Sequence, residues 1–345
     1  MVVNVCSAAS SGSTLLSYIL NRHPDIVCGD ELSVFSKTTL YDNYEYVRRM
    51  SPLIRLVGIS SNPYFEDRSV FRNLPSYGLD NKTVWGYVKE CDDIVCLSMA
   101  LERYILHRTG KRIWAEKTPM NIRLISKFLE FFPTARVIHI IRDPRDVVLS
   151  LIKRGLTPDE AAGEWLASVA AIQPFKNLEN VLEIRYEDLV LDQEVVLKQI
   201  SDFLEVDFKP EFFLTDRFQS KGVERRDGLP TWSADPAKSM FTGAIGKYKK
   251  CDLDLPRIYW AKLTKEYSDL ISVNKEYTIG ELVKDYGYST ECVDSMSVLY
   301  KKLYDGRTKR WKSFIDRNIF NTGEWIPKVM APQRDGVVRC EDHSK

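Results

Sequence analysis

In the N-terminal half of the chain, short apolar runs rich in β-branched residues alternate with segments whose apolar positions recur at helical spacing, and polar stretches separate the two. VVNVC at 2–6 predicts a strand, SAASSGST at 7–14 a polar loop, and LLSYILN at 15–21 a helix. That helix stops at His23-Pro24-Asp25, because the residue before a proline avoids the α region. A second apolar run at 26–28 leads into Gly29-Asp30-Glu31, and carboxylates just past a strand end stand where open α/β sheets place ligand chemistry. Residues 33–82 are rich in Tyr, Asn, Ser and Pro with little period, which predicts an irregular cap insertion. The pattern is helical over 85–108 and stops at Gly110; residues 112–115 predict a strand running into Glu116-Lys117-Thr118-Pro119, and 121–132 a helix. RVIHIIRD at 136–143 reads as a buried strand, followed by a helix with Pro144 in its first turn and Gly155 as its stop. An amphipathic helix over 158–175, the strand VLEIR at 181–185, the segment YEDLV and a helix over 193–204 follow.

Strands alternating in this way with helices imply an α/β fold, a mostly parallel central sheet flanked by helices. Residues 218–250 predict a long loop bearing Gly, Ser and Lys, of the kind that is often functional. Helices are expected over 256–270 and 293–304, and the tail from about 321 mixes Gly, Pro and charge. The expected organisation is one α/β domain over 1–250, carrying the cap insertion at 33–82. A helical addition and tail over 251–345 packs on that same domain.

The 345 residues are 44% hydrophobic and 28% charged, the balance of a globular chain rather than a disordered one. The 49 basic and 48 acidic side chains leave +1, so the whole-molecule field would concentrate neither nucleic acid nor an anionic membrane; neither is expected as a partner, and any anion site has to be local. No apolar run reaches the roughly 18 residues that span a bilayer, and MVVNVCSA has neither a basic leader nor a long apolar stretch, so a cytoplasmic location is expected. Seven widely spread cysteines without a CxxC pair argue against a disulfide framework, and His23, His107, His139 and His343 lack metal-ligand spacing. No structural metal is expected.

Two loops could carry chemistry. In SSGST, Ser10 to Thr14, small residues between a strand and a helix let backbone N–H groups curl around an anion, and the helix N-terminus adds donors and a favourable dipole. A Walker A loop would need GxxxxGK[ST]; Gly12 here is followed by Ser13 rather than lysine, which disfavours ATP hydrolysis with bound magnesium. In IRDPRDVVLS, Arg142 leaves the end of a buried strand and Ser150 lies eight residues further on, a planar fork and a neutral hydroxyl suited to a second phosphate.

The two loops together, each with a strand before it and a helix after it, resemble the sulfotransferase superfamily that uses 3′-phosphoadenosine 5′-phosphosulfate (PAPS) and releases 3′-phosphoadenosine 5′-phosphate (PAP). LNRHPDIVCGDE at 20–31 looks especially like the tyrosylprotein and carbohydrate branch, in a soluble bacterial form. The resemblance implies a P-loop-like three-layer domain in which Ser10, Ser11, Gly12, Ser13, Thr14 and Leu15 wrap the 5′-phosphosulfate, while Arg142 and Ser150 grip the 3′-phosphate. IRYEDLV at 184–190 resembles the family's YEDL segment, which implies Tyr186 near the adenine. FTGAIGKYKK resembles its closing loop, which implies contacts from Ser239, Gly243, Gly246 and Lys247.

By the same likeness Glu31 is the general base that takes a proton from the acceptor hydroxyl or amine, with Asp30 as the competing carboxylate. Lys117 of EKTP steadies the bridging oxygen of the leaving phosphate, without a metal. The sequence departs from the family at Ser10, where a lysine or arginine is usual. A small-molecule acceptor is expected from the lack of a secretory leader, a compartment argument only. The rival readings are an ATP-dependent kinase on the same kind of sheet and a catalytically weak nucleotide-binding module of sulfotransferase fold. Tyr41, Tyr44, Tyr46, Tyr64 and Tyr77 in the cap either line an acceptor pocket or pack into the core.

Overall fold

A computed structural model describes residues 2–49, 71, 73–213, 244–250, 261–263, 268–269, 271–288 and 338–340. The apolar runs form the strands β1 (Val2–Ser7), β2 (Ile26–Val27), β3 (Ile113–Lys117), β4 (Arg136–Ile141) and β5 (Val181–Arg185), in the order β2-β3-β1-β4-β5. β1 lies at the centre, parallel to β3 with Val3 opposite Ala115 and parallel to β4 with Val5 opposite Ile138; β2 is parallel to β3. Val3, Val5, Val137, Ile138 and Ile140 expose no surface, as strands covered on both faces require.

The described chain falls into two compact units. One takes the residues up to Ser7, Gly12–Ile140 and the described stretch from Phe175 to Phe213; the other takes Ala8–Ser11, Ile141–Pro174 and the described residues from Ala244 onward. The first holds the sheet with α1 (Ser13–Arg22), α2 (Thr38–Asp42), α3 (Asn81–Glu90), α4 (Ile94–Thr109) and α5 (Ile125–Phe131). The second holds α6 (Pro144–Lys153) and α7 (Pro158–Ile172), the latter opened by a Thr157/Glu160 capping box. The first unit continues with α8 (Tyr186–Leu191), α9 (Gln193–Leu204) and α10 (Pro210–Phe213). The second ends with α11 (Ile279–Asp285) and the short strands β6 (Ala261–Leu263) and β7 (Val338–Cys340).

Several sequence expectations are corrected. The helix expected over 85–108 is two helices, because Asp80 and Asp93 each accept a backbone N–H, from Thr83 and Cys96, and so start α3 and α4 separately. At that corner Cys91 and Cys96 form a disulfide, which the spread of the cysteines did not suggest; Cys6 and Cys28 are free and buried. Residues 119–124 make a 3₁₀ turn before α5, and the YEDLV segment is itself helical. The helix expected over 256–270 is broken by β6, which pairs antiparallel with β7. The tyrosines of the cap divide: Tyr41, Tyr44 and Tyr77 are buried, Tyr46 is exposed, and Tyr64 lies outside the described residues. Among the described residues no helix is long and apolar enough to cross a membrane.

At the end of β3 the sheet holds a carboxylate with no exposed surface, Glu116. Its Oε1 accepts from the backbone N–H groups of Leu32 and Ser33 at 3.1 and 3.0 Å and from the Thr118 hydroxyl at 2.6 Å, and its Oε2 accepts from Asn121 Nδ2. Asn121 also donates to Asn4 Oδ1 of β1 at 3.0 Å. Burial raises the Glu116 pKa, and the four donors oppose that rise. The network ties the chain leaving β2 to the end of β3 and to Asn4 within β1.

His23, also without exposed surface, fixes the turn from α1 to β2. Its Nδ1 accepts from the Asp25 N–H at 3.1 Å, which leaves Nε2 as the donor to the Asp207 carbonyl at 2.9 Å and makes the ring neutral. Burial pushes its pKa down, and the Asp207 carbonyl and Asp25 charge only partly offset this.

Glu116→Ala leaves four donors facing a void and is expected to lower the free energy of unfolding by about 3 kcal/mol or more. Glu116→Gln is expected to lose less than half as much, since Asn121 can turn its amide to accept from the new donor; urea unfolding of both variants checks this. A second expectation concerns acid. Below about pH 6.5 the unfolded chain takes up a proton that the folded His23 refuses, so stability present above that pH is lost as the pH falls. His23→Gln should flatten that part of the slope between pH 7 and 5, and equal slopes in variant and parent would refute it.

Candidate active site

Glu31 and Lys117 meet in the first unit. Lys117 is the last residue of β3, its side chain 4% exposed, and its Nζ lies 3.3 Å from Oε1 of Glu31, whose side chain is 32% exposed. Burial acts to lower the Lys117 pKa, but the charges of Glu31 and, further off, Asp30 outweigh it, so the ammonium is held above the ordinary lysine range. A buried cation paired with a solvent-reaching carboxylate can stabilise developing negative charge and receive a proton side by side.

The segment that carries Glu31 is fastened from both sides. Glu116 holds the next two backbone N–H groups, and the end of the cap holds the Gly29 N–H and the carbonyls of Asp30 and Glu31. Tyr77 accepts from the Gly29 N–H at 3.1 Å and donates to the Asp30 carbonyl at 2.8 Å, while Asn73 Nδ2 donates to the Glu31 carbonyl at 2.9 Å. The Ser76 hydroxyl donates to Asp30 Oδ2 at 2.9 Å. The two carboxylates expected to compete are thereby told apart: Asp30 faces the cap, and Glu31 faces Lys117. The roles of Asn73, Ser76, Tyr77 and Glu116 were not visible in the sequence, since the first three lie in a stretch without periodicity and Glu116 reads as a surface partner for its neighbour.

Gly12 opens α1 in the left-handed region, φ 100°, with no side chain capping the helix. A Cβ there would stand 2.2 Å from Cδ2 of Tyr186, so the tyrosine ring lies directly on the Gly12 backbone and excludes any larger residue. Ser13, Thr14 and Leu15 form the first turn, where N–H groups have no intrahelical acceptor.

The second unit holds the other set of predicted residues. Arg142, 7% exposed, donates to the Ser10 carbonyl at 3.0 Å and to the Ala244 carbonyl at 2.5 Å, and its guanidinium lies 3.6 Å from Asp146. The Trp165 indole N–H donates to the Arg142 carbonyl at 2.8 Å and fixes the backbone just ahead of α6. Ser150, half-buried, lies two turns along α6. The N–H of Gly246 goes to Asp146 at 2.7 Å. Exposed Lys247 is held below the ordinary lysine range, by desolvation first and then by the like charges of Arg142 and Lys153. Ser239 and Gly243 lie outside the described residues. Among the described residues no group of His, Cys, Asp and Glu is placed to hold a metal.

The residues fit a phosphate-bearing ligand. The hydroxyls of Ser7, Ser10 and Ser11 are buried without a hydrogen-bond partner among the described residues, and Ser10 is held at φ 68°, a region that non-glycine residues rarely adopt. Orphaned hydroxyls and an uncapped helix start are the donors that an oxyanion satisfies.

Comparison with known proteins agrees with this reading. The model of the Sulfotransferase family matches residues 3–210. Sulfotransferase 2A1 of Rattus norvegicus is 30% identical over 169 residues, covering 42% of this chain and 57% of its own. Protein-tyrosine sulfotransferase of Drosophila melanogaster is 22% identical over 231 residues, covering 64% and 40%. The chain thus spans about half the length of the curated relatives it matches. Among solved structures, the sulfotransferase domain of the Synechococcus PCC 7002 olefin synthase superposes with a TM-score of 0.53 at 21% identity, over 84% of this chain and 95% of that one. The sulfotransferase domain of the curacin biosynthetic pathway gives 0.52 at 18%, over 84% and 98%. These likenesses show the fold, a parallel sheet flanked by helices, and the family match over more than half of the residues shows the rest: the chain belongs to the sulfotransferase family.

Proposed function

We propose that the protein transfers a sulfuryl group from PAPS to a hydroxyl or amine of a small-molecule acceptor. The observation that carries this reading is the Glu31–Lys117 pair, a solvent-reaching carboxylate 3.3 Å from a buried ammonium at the end of a central strand. Bound PAPS would supply a sulfuryl group activated by its link to phosphate. Glu31 takes the acceptor's proton at its carboxylate, which reaches solvent beside the Lys117 ammonium. Lys117, kept charged, stabilises the negative charge that grows on the departing oxygen. The first turn of α1, with Ser10 and Ser11 before it, supplies donors for the 5′-phosphosulfate; Arg142 and Ser150 hold the 3′-phosphate, and Tyr186 neighbours the adenine. Ser239, Gly243, Gly246 and Lys247 contribute from the closing loop. The neutral Ser10, where the family usually has a cation, favours a second reading: a nucleotide-binding module that turns over poorly.

Calorimetry with PAP, ATP and AMP is the first test. PAP is expected to bind at least tenfold tighter than either, and Arg142→Ala to lose that margin, since a bidentate guanidinium on phosphate contributes about a factor of ten or more. Preference for ATP would sink the sulfotransferase reading. For the base, Glu31→Gln should lower turnover by about a hundredfold or more while the PAP affinity stays within twofold. Wild-type turnover in that variant would remove Glu31 from the role, and tight PAP binding without transfer to any of a broad acceptor panel would favour the binding module.

A further inference from the structure

Helix α6 grips the segment Ala244–Tyr248 with side chains from its start and first turn. Asp146, 2% exposed, accepts two of that segment's backbone N–H groups on one carboxylate: Gly246 on Oδ2 at 2.7 Å and Tyr248 on Oδ1 at 3.1 Å. One residue earlier, the Arg145 guanidinium stacks over the Tyr248 ring, 3.9 Å from its centroid. That guanidinium is itself locked by Asp143, which accepts from Arg145 Nε and Nη2 at 2.5 to 3.1 Å. Gly246 takes φ 69°, the left-handed turn that brings both N–H groups onto the same carboxylate. Arg142 adds the bond to the Ala244 carbonyl.

We propose that Asp146 is the positioning residue of the closing loop: by accepting the Gly246 and Tyr248 N–H groups it holds 244–248 against α6 through bonds within the chain, which order the loop independently of the ligand. This rests on the reading of the site as a PAP site only where nucleotide affinity is concerned; the docking of the loop is a property of the chain alone. Asp146 is not a ligand for the nucleotide. Its charge, 3.6 Å from the guanidinium of Arg142, opposes an incoming phosphate, so its value to binding comes through the loop it orders.

That opposition gives the test a sign. Asp146→Asn is close to the same size, but its amide nitrogen faces an N–H instead of accepting it, and the negative charge is gone. A residue that merely balanced Arg142 would, when neutralised, tighten PAP. A latch would weaken it.

Hydrogen exchange followed by mass spectrometry is measured on the protein without nucleotide, together with calorimetric titration of PAP. In Asp146→Asn the peptide spanning 244–250 is expected to exchange about tenfold faster and PAP to bind about tenfold more weakly, as loss of a bond to a charged acceptor implies. Tyr248→Leu, which removes the ring from Arg145 and leaves both N–H groups, is expected to quicken the same peptide by a smaller factor and serves if Asp146→Asn does not fold. Unchanged exchange in the variants that fold, or tighter PAP in Asp146→Asn, overturns the proposal. Failure of the unaltered protein to bind PAP would overturn the functional reading instead, and the exchange measurement would still decide the latch.

Discussion

The rest of the first unit depends on one buried carboxylate. Glu116 stands among strand ends with no solvent to stabilise it, and its persistence there requires that every lone pair it presents be met. Two of the donors that meet it are backbone N–H groups of the chain leaving β2, so satisfying Glu116 and placing Glu31 are the same event. A third comes from Asn121, which also reaches β1, so the central strand is drawn into the same arrangement. The next residue of β3 points to the other face of the sheet, which is how the Glu116 carboxylate and the Lys117 ammonium come to be neighbours in sequence without competing for each other.

The same economy governs the second unit. Buried charges there come as pairs whose remaining capacity is directed at backbone: Asp143 with Arg145, and Asp146 with both Arg142 and two N–H groups of the closing segment. The +1 net charge of the chain is therefore uninformative about the site. What matters is that arginine forks and carboxylates are fixed by burial in a small volume, where their fields are screened far less than at a surface. Lys247 is held below the ordinary lysine range by desolvation first and then by the positive charges of Arg142 and Lys153.

The strands were legible because each is a buried β-branched run with a stop signal behind it, and the central parallel sheet followed from their alternation with helices. The two loops stood out as candidates by chemistry and spacing, while the roles of Glu31 and Lys117 came from the resemblance to the family. What the sequence hid has physical reasons. Asp93 as a cap inside a continuous helical pattern looks like one polar residue among several, yet it divides α3 from α4. The strand at 261–263 is short and paired with residues far along the chain, so local periodicity carries no trace of it. Asp146 reads as a helix-surface acid two residues from Pro144; only the return of a segment a hundred residues later makes it an acceptor. Asn73 and Tyr77 act through backbone atoms of 29–31 and Ser76 through the Asp30 carboxylate, and such contacts have no sequence signature.

Ser10 stands where the family resemblance implies a lysine or arginine, and its own unit holds it closely. A lysine there would bring charge on a flexible stem, with the freedom to withdraw. Serine brings instead a hydroxyl buried without a partner and a backbone held at φ 68°, both of which are unfavourable unless something satisfies them. Its carbonyl is bound by Arg142 at 3.0 Å, so a rigid guanidinium is tied to the very residue that lacks the cation. Arg142 is in turn tied to Ala244, the first residue of the segment that Asp146 holds. Positive charge is thus brought to Ser10 by Arg142, just ahead of α6, rather than by a side chain of the loop itself. Since fixed donors lose little on binding while flexible ones lose several rotamers, a loop of this kind can hold an oxyanion with fewer charges provided its surroundings do not move. The ordering of 244–248 by Asp146 is the part of the molecule that meets that condition.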